Sequence, residues 1–268
     1  MPMNFDAYAR LQYAGMGDVY ERLFGALCGH PAQRLLDLAG VTGGMRVLDA
    51  GTGPGTVGGL AVARGADVIA VDAEPSMVEV AKRRLPDVRL AVLPDLPFAD
   101  GEFDAVVANF VINHLSDPGA GVRELGRVAR PGGRVAVTIW PVPAPPMQRL
   151  WSEVFAAAGG RTPADAPTVA ADKNYERTPD GLAGMLTAAG LRDVGAEPVE
   201  WVHRTGVEEL WQGTASGFGA LGALLRDESP EMVGRVRREY ERAVVPYRSG
   251  DGSLAIPTGA VLGWGTAG

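Results

Sequence analysis

A glycine-rich turn at the end of an apolar run constrains the fold of this chain more than any other segment. The stretch "VLDAGTGPGTVG" covers residues 47–58, and glycine occupies four of its last eight positions. A backbone this bare is needed where a ligand approaches closely or where the chain turns through left-handed conformations. The apolar run predicts a buried strand before the turn, and residues 56–64 predict a helix after it. Such strand-to-helix turns lie at the edge where open α/β sheets bind ligands.

Strands and helices alternate along the chain from residue 45 to residue 140. Strands are predicted at "MRVLDAG", "ADVIAVD", "VRLAVL", "FDAVVANFV" and "RVAVTIW". Pro75 and Pro118 stand at the first positions of two intervening helices, where proline is favoured. Helices of about ten residues between buried strands indicate a parallel sheet that is covered on both faces.

The C-terminal part departs from this alternation. Residues 159–177 lack periodicity and predict a functional or mobile loop. The stretch "VGAEPVEWVHRT" predicts a strand broken near Pro198, and "SLAIPTGAVLGWGTAG" predicts a last strand. Between them, residues 206–248 predict two amphipathic helices, which we interpret as a lid over the carboxyl edge of the sheet. The alternative is that these helices only pack on the core or form a dimer contact.

The composition indicates a folded, acidic protein. Apolar residues make up 46% of the chain, charged residues 21%, and the formal net charge is -7. This balance argues against nucleic acid as a partner, because phosphate binding needs clustered basic residues. The single cysteine excludes a disulfide within the chain. With this cysteine and three histidines, the sequence shows no cluster of metal ligands, and we expect no metal site. Since the N-terminus has no apolar signal region and no segment reaches the roughly 18 apolar residues of a membrane span, we expect a cytoplasmic protein. We also expect a monomer or homodimer.

Two glycine patterns fit the turn. Residues 53–58 match G-x-G-x-x-G, which indicates a dinucleotide site only weakly when it stands alone. Residues 49–55 match a second pattern, D-x-G-x-G-x-G. Pro54 has no N–H, so the turn offers one donor fewer to a pyrophosphate. The carboxylate of Asp49 favours a ligand with a cationic amino group instead.

Four segments in order give the chain its resemblance to a known family. The stretches "VLDAGTGPG", "VIAVDAEPSM", "PDLPFADGEFDAVVANFVINHLSD" and "ARPGGRVAVTIW" resemble class I S-adenosylmethionine-dependent methyltransferases, and most of all the small-molecule enzymes related to ubiquinone and menaquinone biosynthesis. The resemblance implies a Rossmann-like α/β fold with N-terminal helices. Its seven-stranded sheet would be mostly parallel, with an antiparallel last strand beside the fifth. S-adenosylmethionine would be the cofactor and a small molecule the acceptor.

The same resemblance implies one domain over residues 1–268. Its cofactor-binding core would cover residues 41–140, and the rest of the sheet residues 141–205 and 249–268. The helical lid would cover residues 206–248.

The resemblance also places the cofactor at the carboxyl ends of the strands. Asp72 ends the second strand, and its carboxylate is expected to accept hydrogen bonds from both ribose hydroxyls. The alternatives are a charge at a helix start for Asp72 and an ordinary turn residue for Asp95. Tyr8 and Tyr13 lie in a segment that often closes over the cofactor in relatives. The residues expected to bind the cofactor are Tyr8, Asp49, Gly51, Thr52, Gly53, Gly55, Asp72, Ala73, Met77, Asp95, Leu96, Asn109 and Phe110.

Two histidines are candidates for a general base. Methyl transfer requires an acceptor aligned with the S–CH3 bond, and a phenol or carbon acid profits from a base. His114 follows the fourth strand and His203 ends the sixth. The alternatives are a structural contact within a loop for His114 and a surface position for His203.

Aromatic residues of the C-terminal part predict an apolar acceptor pocket. They are Trp151, Phe155, Trp201, Trp211, Phe218 and Tyr247. We therefore predict methylation of a small, largely apolar or aromatic metabolite, with O-methylation favoured over C-methylation. The alternatives are a cofactor-binding protein of the same fold that catalyses another reaction, such as a cyclisation, and, more distantly, an NAD-dependent oxidoreductase.

Overall fold

The computed structural model describes residues 5–161 and 167–268. Within these residues the strands form one seven-stranded sheet in the order 3-2-1-4-5-7-6. The strands are β1 (Arg46–Ala50), β2 (Asp67–Asp72), β3 (Val88–Leu90), β4 (Phe103–Asn109), β5 (Ala129–Ile139), β6 (Arg192–Thr205) and β7 (Leu254–Thr266). Strands β1 to β5 are parallel, and β7 runs antiparallel to both β5 and β6. The predicted fold class is confirmed, including the place of the last strand beside the fifth.

Helices precede the sheet, connect its strands and interrupt its last strand pair. Before β1 lie α1 (Phe5–Leu11), α2 (Gly17–Leu23), α3 (Gly25–Gly29) and α4 (Ala32–Leu38). Between β1 and β6 lie α5 (Thr56–Ala63), α6 (Pro75–Ala81), α7 (Pro118–Val128), α8 (Pro146–Ala157) and α9 (Pro179–Ala188), with a 3-10 turn at Ile112–His114. Between β6 and β7 lie α10 (Val207–Ala215), α11 (Gly219–Arg226) and α12 (Pro230–Ala243), with a 3-10 turn at Val245–Tyr247.

Apolar clusters cover the two faces of the sheet. The alternation of side chains along β1 sends Val47 to one cluster and Leu48 to the other. On the first face, α4 and α12 contribute fully buried residues such as Leu35 and Val236. On the second face, α7 and α9 contribute residues such as Leu125. Both faces are therefore occupied by helices, which leaves the strand ends to form a site.

Two predicted elements of the C-terminal part are wrong in detail. Strand β6 passes through Pro198 without a break. It is an edge strand, where the missing N–H of proline removes no hydrogen bond of the sheet. The predicted lid contains three helices rather than two, because Gly217 adopts a left-handed φ of 92° between α10 and α11.

The predicted loop after α8 is only partly described, since residues 162–166 lie outside the described residues. Its described remainder up to residue 177 contains no helix or strand. In the described ranges of the chain, no helix combines the length and the apolar character that crossing a bilayer requires.

Candidate active site

A cavity of about 320 Å³ lies at the carboxyl ends of β1, β2 and β4. The glycine turn after β1 and Asp72 at the end of β2 form one part of its wall. Aromatic side chains from the N-terminal helices, from α8 and from the start of α11 form the other part. A narrower recess, which includes Asp49 and Thr52, shares Gly51, Gly53 and other wall residues with the cavity.

The glycine turn needs its glycines for backbone reasons. Gly51, Gly53 and Gly55 have φ values of 69°, 55° and 83°, in the left-handed region. A Cβ on Gly51 would clash with the side chain of Val111. Gly51 and Gly53 line the cavity, whereas Gly55 precedes α5 as its N-cap residue. The turn therefore presents bare backbone to the cavity.

Asp49 lies beneath this turn with one oxygen unsatisfied. Its side chain is buried, and its Oδ2 accepts hydrogen bonds from Thr52 Oγ1 at 2.6 Å and Gly58 N at 2.8 Å. Its Oδ1 is buried and has no hydrogen-bond partner among the described residues. Burial raises the pKa of Asp49 to about 6, although the bonds from Thr52 and Gly58 oppose this shift.

Asp72 connects the glycine turn to the end of β2. Its Oδ2 accepts a hydrogen bond from Gly53 N at 2.8 Å, and its Oδ1 accepts one from Glu74 N at 2.9 Å. The N-cap of α6 is Glu74, whose side chain accepts a hydrogen bond from Ser76 N. Asp72 is therefore not the capping residue of this helix. A carboxylate has about four lone-pair positions, so Asp72 keeps acceptor capacity in the cavity wall, and burial raises its pKa.

The other predicted cofactor residues divide into two groups. Those that line the cavity are Ala73, Met77, Leu96, Asn109 and Phe110. Tyr8 and Asp95 are not part of its described lining; Asp95 is exposed, and its backbone N–H donates to Val92 O. Asn109 donates from Nδ2 to Cys28 O at 2.9 Å, while its Oδ1 is buried without a partner among the described residues. The two unpartnered oxygens beside the turn thus belong to Asp49 and Asn109.

An aromatic cluster forms another part of the cavity wall, and its member Tyr20 reaches the glycine turn, where a Cβ on Gly53 would lie 3.8 Å from the Tyr20 ring. Phe218 packs on Phe24 with a ring-centroid distance of 4.1 Å, and on Tyr13 and Tyr20 at 5.3 Å each. Tyr20 and Phe24 are not among the residues predicted from the sequence, although their spacing of four residues places them on one face of the N-terminal helical segment. Trp140, whose ring stacks on Phe110 at 3.8 Å, was not predicted either.

Of the six aromatic residues predicted for the pocket, only Trp151 and Phe218 belong to the described lining of the cavity. Trp211 is buried against Trp151 and Tyr240, with the Arg237 guanidinium 5.0 Å from its ring centre. Trp201 stacks on His30. Phe155 and Tyr247 pack with the apolar cluster of the first face. These four side chains therefore contribute to packing and lie outside the described lining.

The two candidate bases have different positions. His114 lines the cavity, and its Nε2 lies 3.2 Å from Tyr13 Oη. Burial, with a smaller contribution from Arg177, lowers the pKa of His114 to about 4, so its imidazole is neutral at pH 7. His203 is buried on β6, outside the described cavity lining. Within the described residues, no group of three or more His, Cys, Asp or Glu side chains is arranged to hold a metal ion.

Comparison with known proteins gives one matching family and several sequence relatives. Residues 48–137 match the family described as methyltransferase domain. A demethylmenaquinone methyltransferase from Beutenbergia cavernae is 35% identical over 170 residues, which cover 60% of this chain and 71% of that protein. One from Clavibacter sepedonicus is 38% identical over 120 residues, or 43% of this chain and 49% of that protein.

A solved structure supports the fold alone. Phosphoethanolamine N-methyltransferase 2 from Haemonchus contortus, in complex with S-adenosyl-L-methionine, aligns with a TM-score of 0.60 and 18% identity. The alignment covers 99% of this chain and 60% of that chain.

Proposed function

Because this chain belongs to the class I S-adenosylmethionine-dependent methyltransferases, we propose that it methylates a small, largely apolar aromatic metabolite that carries a ring oxygen. The observation that carries this proposal is one cavity with two unlike ends. The first end has the glycine turn and Asp72, with Asp49 in the adjoining recess, and the second has aromatic rings and His114. The similarity to demethylmenaquinone methyltransferases supports a quinone-type acceptor.

The residues at the first end fit S-adenosylmethionine. The amino group of its methionine part is a cation, which suits the unpartnered oxygens of Asp49 and Asn109. The ribose hydroxyls are donors that suit the remaining lone pairs of Asp72. Ala73 and Met77 follow Asp72 in the wall and suit the adenine ring. When bound, the cofactor supplies a methyl group made electrophilic by the sulfonium.

The residues at the second end orient and activate the acceptor. His114 is neutral, so its Nε2 can take the proton of a ring hydroxyl that displaces Tyr13 Oη from it. Removal of that proton increases the electron density on the oxygen and on the conjugated ring carbons. We favour the oxygen as the methyl acceptor, with a ring carbon as the alternative. The cluster of Tyr13, Tyr20, Phe24 and Phe218 lines the cavity between its two ends and would exclude water from the bound acceptor.

Product analysis tests the proposal and separates the two acceptor atoms. The protein is incubated with S-adenosylmethionine that carries a trideuterated methyl group, together with 1-naphthol in one reaction and with 4-methoxy-1-naphthol in another. We expect a labelled product in which NMR places the methyl group on oxygen. A methyl group on a ring carbon would favour the alternative. If the protein binds S-adenosylhomocysteine but transfers a methyl group to neither compound, the proposed acceptor class is contradicted.

Cofactor affinity is expected to depend on pH through Asp49. Its carboxylate is charged above about pH 6 and protonated below it. Affinity for S-adenosylhomocysteine should therefore fall as pH decreases below about 6, approaching tenfold for each pH unit in which Asp49 alone titrates. Calorimetric titration between about pH 5 and 8 measures this dependence. The matched variant Asp49→Asn should bind more weakly with a flatter profile, and an unchanged slope in this variant would exclude Asp49 as the titrating group.

Phe218 is expected to contact the acceptor, unlike Trp211 on the neighbouring helix. Phe218→Leu keeps an apolar side chain but removes the expected contact between the Phe218 ring and the acceptor ring. A contact between two aromatic rings contributes about 0.5–1.5 kcal/mol. The KM of the acceptor should therefore rise about 2–12-fold while the KM of S-adenosylmethionine stays the same. Trp211→Phe is the control, because Trp211 packs outside the described lining. A larger effect on the cofactor KM in Phe218→Leu would place this residue over the cofactor.

A further inference from the structure

One residue in the aromatic end of the cavity is a glutamine, whose amide is polar among apolar neighbours. Gln148 lies in the first turn of α8 and lines the cavity together with Met147 and Trp151 of the same helix. Trp140 and Phe24 belong to the same lining. An amide among such side chains costs free energy unless its polar atoms are bonded, so its partners indicate what it is for.

One partner of this amide is a buried threonine on the last strand. Thr258 of β7 is only 3% exposed. Its Oγ1 lies 2.9 Å from Gln148 Nε2 and 3.1 Å from Gln148 Oε1. A side-chain amide has two N–H donors and two acceptor lone pairs, whereas one hydroxyl has a single donor and two lone pairs. Thr258 therefore fixes the direction of the amide but cannot satisfy it completely.

Stacked aromatic rings form this part of the wall. The ring of Trp151, one turn along α8 from Gln148, stacks on Tyr240 with a centroid distance of 5.0 Å and an interplanar angle of 10°. The ring of Trp140 stacks on Phe110. Gln148 is thus a polar group, oriented by Thr258, beside stacked aromatic rings, and this arrangement suits an oxygen on the edge of an aromatic ring.

We infer that Gln148 hydrogen-bonds a second ring oxygen of the acceptor, distinct from the oxygen that His114 deprotonates, and that Thr258 is the positioning residue for Gln148. This inference rests on the proposed function and narrows it to acceptors with two ring oxygens, of the hydroquinone or alkoxyphenol type. His114 follows β4 and Gln148 follows β5, so the two oxygens are recognised by different elements of the wall.

The test compares two probes that differ by one methoxy group, which carries the second ring oxygen. Protein saturated with S-adenosylhomocysteine is titrated by calorimetry with 1-naphthol and with 4-methoxy-1-naphthol. A neutral hydrogen bond of ordinary strength predicts that the wild-type protein binds the second probe about 2–12-fold more tightly. Gln148→Met, which retains the length of the side chain without its amide, should lose this preference and keep its affinity for 1-naphthol.

Two further variants separate recognition from packing. Thr258→Val keeps the shape of Thr258 but removes the hydroxyl that directs the amide, so the preference should decrease while cofactor affinity is unchanged. Ser152→Ala alters an exposed residue of the same helix, outside the described lining, and should keep the preference.

A preference that survives in Gln148→Met would overturn this inference while leaving the proposed function intact. Equal wild-type affinity for the two probes would also overturn it. If the wild-type protein with bound S-adenosylhomocysteine binds neither probe, both the inference and the proposed acceptor class are overturned.

Discussion

His114→Ala is expected to lower kcat for a phenolic acceptor by about 10²–10⁴-fold, the usual contribution of a general base. The KM of S-adenosylmethionine should change little, because the proposed cofactor residues lie at the glycine-turn end of the cavity. The measurement is steady-state kinetics with 1-naphthol at saturating cofactor. A loss below about tenfold would mean that alignment of the acceptor suffices and that His114 only supports its loop.

The pH dependence of the wild-type enzyme provides an independent check on His114. Burial disfavours the imidazolium form, so the pKa of His114 is lowered to about 4 and the base form persists below the ordinary histidine range. At saturating cofactor, kcat should stay level from about pH 8 to 5 and fall as pH decreases through about 4. A fall near pH 6.5, the ordinary value for histidine, would indicate a solvated base instead. Tyr13→Phe keeps the aromatic ring and should retain this profile, because it removes only the hydroxyl beside Nε2.

Asp72→Ala is expected to weaken the binding of S-adenosylhomocysteine by about 10–150-fold. This range corresponds to roughly 1.5–3 kcal/mol, the contribution of hydrogen bonds that involve a charged group. The variant also removes the acceptor of Gly53 N, which orients the glycine turn. Calorimetric titration gives the dissociation constant, and circular dichroism checks the fold.

Two variants serve as comparisons for Asp72→Ala. Asp72→Asn retains one acceptor oxygen and should lose less affinity. Asp67→Ala removes an exposed carboxylate from the opposite end of β2 and should leave the affinity unchanged. An unchanged dissociation constant in well-folded Asp72→Ala would show that this carboxylate only supports the backbone around it.

The fold and the cofactor end of the cavity depend on signals that are local in sequence. Strand β1, the glycine turn and α5 are consecutive, and the left-handed φ values at Gly51, Gly53 and Gly55 directly explain the residue type. Asp72 ends β2, and parallel pairing of β2 with β1 brings it beside the turn. A motif of this kind is recognisable because the residue types that its backbone conformation needs stand together in one short segment.

The acceptor end depends on contacts between distant segments, which apolar periodicity does not specify. Tyr20 and Phe24 reach the cavity because α2 packs beside α6 and α10, far away in sequence. Trp211 and Phe218 both fit the apolar spacing of one predicted helix. Only Phe218, which comes directly after the turn at Gly217, belongs to the described cavity wall. For His203, the register of β6 against β7 determines which side chains are buried, and it places this histidine outside the described lining.

The most direct test of the central claim is calorimetric titration of the wild-type protein with S-adenosylhomocysteine and, separately, with NADH. The claim is that the glycine turn, Asp49 and Asp72 together bind S-adenosylmethionine rather than a dinucleotide. Our account predicts saturable binding of S-adenosylhomocysteine at one site per chain and no binding of NADH. Saturable binding of NADH, with no heat from S-adenosylhomocysteine, would contradict it.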